Sequence, residues 1–219
     1  MKKFFSLVLA LVMALSLTTV AWGATDALQD AIAAGQTDIT LTAGNYTMPQ
    51  NNVLQGKTLT ISGPREAVID ISAVVTNGSQ AFMGTTLVFK GVTINGSTSA
   101  RYMGFTHAAS LTYKNCKLTG LQTLYADTVV FEDCEFDSTA NTVEPHAVWT
   151  WSAKNVTFTD CEFTYGDRAV NVYGQYDVAG GQTVTFEECT FTTTSRTSTG
   201  AVEINGSGIT SGVDVSLDD

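Results

Sequence analysis

VVFEDCEF, residues 129–136, has apolar side chains or Cys at its first, third, sixth and eighth positions (Val129, Phe131, Cys134, Phe136) and polar residues at most of the others. Two short alternating strands that meet at a corner give this pattern, each turning its apolar face inward. The spacing returns in LVFKGVTI (87–94), LTYKNCKL (111–118), VTFTDCEF (156–163) and VTFEECTF (184–191). A unit this small cannot bury its own apolar face, whereas stacked copies bury one another's, so the repeat predicts a β-solenoid. The starts at 87, 111, 129, 156 and 184 are unevenly spaced, which assigns the length variation to the loops.

A third strand joins the later coils. HAVWTW (146–151), RAVNVY (168–173) and GAVEIN (200–205) align on their shared Ala-Val. Alternation turns Val148, Val170 and Val202 inward, with Thr150, Val172 and Ile204 following them. It leaves Trp149, Asn171 and Glu203 as one outward column beside a second of Trp151, Tyr173 and Asn205.

The chain opens with Lys2 and Lys3, an apolar run from Phe4 to Leu17, and Ala21 and Gly23 around Trp22, the pattern of a signal peptide over 1–23. The apolar run is short for a bilayer span, and no transmembrane segment is expected in the mature chain, 24–219. That chain is long enough for one solenoid domain. DALQDAIAA (26–34) reads as a helix capped by Asp26 with Gln29 three residues on, and its Leu28–Ile32 stripe suits it to cover the open end of the first coil.

The amphipathic helix, I-x-L-x-x-G-x-Y from Ile39 to Tyr46, L-x-I-x-G from Leu59 to Gly63 with a following V-I-D, and the repeated apolar-x-F-x-x-C-x-F units together resemble the bacterial, secreted right-handed parallel β-helix proteins of the pectin-lyase-like superfamily. The resemblance implies an all-β, single-stranded right-handed parallel β-helix of about seven coils, with an N-terminal capping helix. That superfamily includes polysaccharide lyases, glycoside hydrolases and adhesins, so the fold implied does not select a function.

The formal net charge is −10, and −12 once Lys2 and Lys3 are removed with the leader. A chain without a basic stripe is a poor partner for nucleic acid. Trp149, Trp151 and Tyr173, outward by alternation, form a candidate sugar-stacking platform, with Asn171, Glu203 and Asn205 placed to bond hydroxyls; the alternative is that a loop, 175–181 or 138–145, folds over the indoles. Cys116, Cys134, Cys161 and Cys189 share one register and predict a buried column of reduced thiols, because parallel side chains in a stack are poorly set for disulfides. The preceding residues, Asn115, Asp133, Asp160 and Glu188, form a corner column. Asn and Asp there suit turns, and the stacked acids Asp133, Asp160 and Glu188 are also candidate Ca²⁺ ligands.

Acid–base candidates are few: His146, Asp167 and Arg168. A lyase needs a base and a cation near its uronate, and a glycosidase needs a carboxylate pair at a set separation. The first reading is therefore a secreted or surface-presented β-helix that binds polysaccharide, with a small lyase or hydrolase, or a ligand-free structural solenoid, as alternatives. TFTTTSRTST (190–199) resembles an ice-binding surface in composition only, since no T-x-T array repeats coil after coil. GVDVSLDD (212–219) restarts an alternating strand with Val213, Val215 and Leu217 on one face and no covering helix. Three readings of that end stand: continuation in a longer protein, protection by Asp214, Asp218 and Asp219, or end-to-end self-association.

Overall fold

A computed structural model describes residues 19–20, 27–49, 54–74, 81–101, 104–174, 181–205 and 211–218. Among these residues, three sheets of nine, seven and four strands wind into a parallel β-solenoid of about six turns, one fewer than expected. Each repeat motif splits between two of them. Its first half lies in the first sheet (Ala126–Glu132 in the copy at 129–136) and its second half in the second sheet (Glu135–Asp137). Successive copies pair residue for residue, as in Val129↔Val156, Phe131↔Phe158 and Phe136↔Phe163.

The corner between the two sheets explains the residue before each Cys. Asn115, Asp133, Asp160 and Glu188 all have φ between 50° and 52°, the left-handed region, and Gly91 holds the equivalent place with φ 73°. Each donates its backbone N–H to the carbonyl one coil on, for example Asp133 to Thr159 at 3.1 Å and Asp160 to Glu187 at 3.0 Å. The ladder thus continues around the bend. Asn and Asp tolerate this conformation better than other L-residues, so the column is a backbone requirement first. The side chains point into solvent, and Asn115 Oδ1 accepts from Arg65 Nη2 at 2.8 Å.

Inside, like stacks on like. Phe89, Tyr113, Phe131, Phe158 and Phe186 form a near-parallel pile with centroids 4.6–5.2 Å apart. Phe136, Phe163 and Phe191 form a second pile at 4.4 and 4.8 Å. The piles meet edge to face, as in Phe131 against Phe136 at 71°. Offset and edge-on contacts are the favourable aromatic geometries, so the repeat gains from its own repetition.

The four cysteines are free thiols beside these piles, with Cys116, Cys134 and Cys161 buried and Cys189 half-buried. Each S–H donates to backbone carbonyls, Cys134 to Glu132 and Tyr113, and Cys189 to Glu187 and Phe158. Cys134 and Cys161 each gain from the bond to the preceding thiol. The competing bond to the next thiol, together with burial, nonetheless pushes both up to about 12. Cys189 is last in the column, and the bond from Cys161 supports its thiolate and outweighs burial, lowering it to about 7.

The helix Ala27–Ala33 buries Ala27, Leu28, Ala31 and Ile32 in the same core. Asp26 and most of 1–23 lie outside the described residues. Thr19–Val20, within the expected leader, pairs in parallel with Thr40 and Leu41 at the edge of the first sheet. At the opposite end Ile204 continues the inward column below Val172 but is 59% exposed, because its strand is the edge of the third sheet. Leu217, on the edge strand of the first sheet, is likewise exposed.

The outer face of the first sheet carries two hydroxyl-rich columns, interrupted by Val88, Val130 and Asn155. Thr58, Thr86, Ser110, Thr128, Asn155 and Thr183 form one column, beside Thr60, Val88, Thr112, Val130, Thr157 and Thr185. The residues are scattered in the sequence, and only the register gathers them.

Two outcomes test this packing. Alkylation of the native protein should label Cys189 alone, with a rate that climbs through about pH 7 as the thiolate forms, while denaturation exposes four thiols. Peptide mapping reads both. At the corner, Asp160→Gly should leave stability unchanged or higher, whereas Asp160→Val should cost about 1–3 kcal/mol in urea unfolding, since a β-branched residue resists positive φ.

Candidate functional site

The third sheet consists of Gln122–Thr123, Val148–Trp149, Val170–Tyr173 and Val202–Asn205. Its register stacks Thr123, Trp149, Asn171 and Glu203 in one outward column, so the Trp149–Asn171–Glu203 alignment expected from the sequence is present. Tyr173 pairs with Asn205 as expected. Trp151 departs from expectation: the strand ends at Trp149, and Trp151 sits in a turn with φ 48°. The buried hydroxyl of Thr150 fills the gap in the ladder, accepting from Tyr173 N at 3.0 Å and donating to Tyr173 O at 3.2 Å.

The expected open platform of indoles is corrected by burial. Trp149 is 7% exposed, Trp151 5% and Asn171 4%. The rings cover each other. The two indoles stack at 6.2 Å and 10°, Tyr173 lies 5.4 Å from Trp149 and 5.7 Å from Trp151, and Leu121 packs beneath. Half-exposed Tyr125 packs on the same cluster and on His107, 4.0 Å away. A band of rings thus runs along the solenoid axis from His107 through Tyr125 and the indoles to Tyr173, with Tyr125 and Tyr173 facing solvent. Beside it, Thr123 Oγ1 and Asn171 Oδ1, either side of Trp149 in the column, are buried with no hydrogen-bond partner among the described residues.

His107 and Tyr125 are site residues that sequence reasoning misses. The signal is present, because each stands four residues before a motif start, Leu111 and Val129, and each is followed by Ala.

A polar group adjoins the rings. His146, 2% exposed, accepts from Trp149 Nε1–H through Nδ1 at 3.1 Å, so its proton resides on Nε2, which donates to Glu203 Oε2 at 3.0 Å. Arg168 Nη1 reaches the same oxygen at 3.2 Å, and its Nε donates to Thr199 Oγ1 at 2.9 Å. Burial lowers the His146 pKa; the bond and charge of Glu203 oppose this, and Arg168 adds to it. Free imidazole therefore takes up its proton at higher pH than folded His146, and stability should fall as pH drops below the ordinary 6.5 until His146 itself is charged.

The structure thus brings His146 and Arg168 together through Glu203. Asp167 is turned aside to accept from Thr199 N at 3.1 Å, with its Oδ2 3.9 Å from Arg168 Nε. Both ring nitrogens of His146 are engaged within the protein. Asp133, Asp160 and Glu188 are spread one per coil along the exposed corner, and among the described residues no three His, Cys, Asp or Glu side chains converge as a metal site.

The family model of the right-handed β-helix region matches residues 39–216, which include every strand of the three sheets from Ile39 onward except the last residues of the first sheet's edge strand. The chain belongs to the right-handed β-helix family. No curated protein and no solved structure matches it. In this β-helix the ring band lies where the third sheet turns toward the first, outside the two aromatic piles of the core.

Because the indoles are enclosed, Trp149→Ala and Trp151→Ala should each cost about 3–5 kcal/mol in denaturant unfolding, and Tyr173→Ala less. Equal, small losses for all three would contradict the enclosure.

Proposed function

We propose that this β-helix protein is a carbohydrate-binding module that takes an extended polysaccharide along the solenoid axis, over Tyr125 and Tyr173. The observation that carries the reading is the band of rings spanning successive coils, bordered by Arg168, Glu203 and Asn205. Coils repeat every ~4.8 Å, and the band follows them, so Tyr125 and Tyr173 offer ring faces along the axis with hydrogen-bonding groups alongside. The buried indoles act as the bed on which Tyr173 is held rather than as the contact itself. Their rigidity reduces the ordering cost of binding.

The leader-like residues 1–23 support export to the cell exterior, and the motifs support placement among the pectin-lyase-like proteins. Binding is preferred to lyase or hydrolase chemistry because His146 is buried with both nitrogens occupied and Arg168 is engaged by Glu203 and Thr199.

A glycan array, followed by titration calorimetry on the best ligand, tests the reading. Tyr173→Ala and Tyr125→Ala should each weaken binding by about tenfold or more, on the scale of an aromatic anchor in an interface. An array without hits, or affinities unchanged in both variants, would remove the proposal. Release of unsaturated uronate, followed by ultraviolet absorbance, would favour the lyase instead.

A further inference from the structure

We propose that His146 is a pH-operated latch on the aromatic band, holding Trp149 when neutral and releasing it when protonated. The inference names a regulation of the proposed binding face and rests on that reading for its purpose, though not for its geometry.

Trp149 Nε1–H needs a lone pair on His146 Nδ1, 3.1 Å away. A proton added to His146 goes to that nitrogen, because Nε2 already donates to Glu203. Two N–H groups then face each other and the bond is lost. The charged ring has another partner ready: Glu144 Oε2 lies 3.8 Å from Nδ1, a shift of about 1 Å from hydrogen-bonding distance. Imidazolium between Glu144 and Glu203 is a second bonded arrangement, so the element has two discrete states.

The groups facing His146 come from several segments. Glu203 lies on the third sheet's edge strand, and Arg168 and Asp167 lead into Val170–Tyr173. Glu144 is on the loop before His146 and is itself paired with Arg101. Glu203 and Asp167 favour the proton, while Arg168 and burial oppose it, which sets the transition on the acid side of ordinary histidine. Trp149 packs on Trp151 and Tyr173, so its release disturbs the ring that faces solvent.

The test follows the Trp149 indole N–H by ¹⁵N-correlated NMR between about pH 8 and 4.5, assigned by its disappearance in Trp149→Phe. A single transition with a midpoint below 6.5 is expected in the native protein, and none in His146→Gln, whose side chain carries a donor and an acceptor but does not titrate. A constant indole signal, or the same transition in His146→Gln, overturns the latch. Should His146→Gln fail to fold, Glu144→Gln decides: loss of the anionic partner of the acid state should lower the midpoint, and an unmoved midpoint overturns the proposal. Binding of the array-selected glycan should weaken about tenfold across the pH range of the indole transition. Absence of glycan binding throughout that range overturns the carbohydrate reading alone, since the indole transition still decides the latch.

Discussion

Parallel pairing of each coil with the next, one residue to one residue, is the constraint on which everything else in this protein depends. It fixes neighbours at ~4.8 Å and brings equivalent positions of every motif into contact. An interior column is then favoured when its residues pack well on copies or near-copies of themselves. Phe does, in offset piles, and so do aliphatic side chains and thiols, which bond to backbone carbonyls and to the thiols of neighbouring coils. Burial of each Phe contributes about 1.5–3 kcal/mol, comparable to the ~1–2 kcal/mol that a left-handed L-residue costs at a corner. The strained corner persists because the residues on either side of it, Phe131 and Phe136 in one coil, are both anchored in piles.

What the sequence made legible follows from that constraint. Alternation identifies the inward residues, and a recurring Asn, Asp or Glu ahead of Cys marks the corner, because both are properties of one coil repeated. The shared Ala-Val aligns the third sheet for the same reason. Burial on an outer face is different in kind. Trp149 and Trp151 point away from the core, as alternation requires of Trp149, yet they are enclosed: they pack on each other, on Leu121, Tyr125 and Tyr173, and Trp149 bonds to His146. Whether an outward ring meets water depends on side chains one coil away, and no periodicity within a strand reports that. The left-handed turn at Trp151 was hidden for a related reason: Thr150 substitutes a hydroxyl for a backbone pairing, and a hydroxyl leaves the alternation of HAVWTW intact.

The outward columns show where a repeat protein has room to specialise. On the first sheet, Thr, Val and Ser repeat with little change, which suits strand formation by β-branched residues and tells little about a partner. On the third sheet the column Thr123, Trp149, Asn171, Glu203 changes chemistry at every coil. A column of unlike residues gives up the packing gain of self-stacking, and here it leaves Thr123 Oγ1 and Asn171 Oδ1 buried with no partner among the described residues. Such a departure from repetition is costly unless the residues answer to something besides the fold.

The same column also explains why His146 is buried beside a carboxylate and an indole. Its backbone belongs to the turn that leads into the sheet, so its ring is laid against the outward column rather than into the core piles. There it meets an unlike neighbour on each side, the N–H of Trp149 and the carboxylate of Glu203. A histidine in a self-similar column would meet another histidine, and repulsion between the charged forms would keep both neutral. Between an N–H and a carboxylate, the ring is asked to accept on one side and donate on the other. That demand fixes its tautomer, and it ties the state of the aromatic band to a single proton.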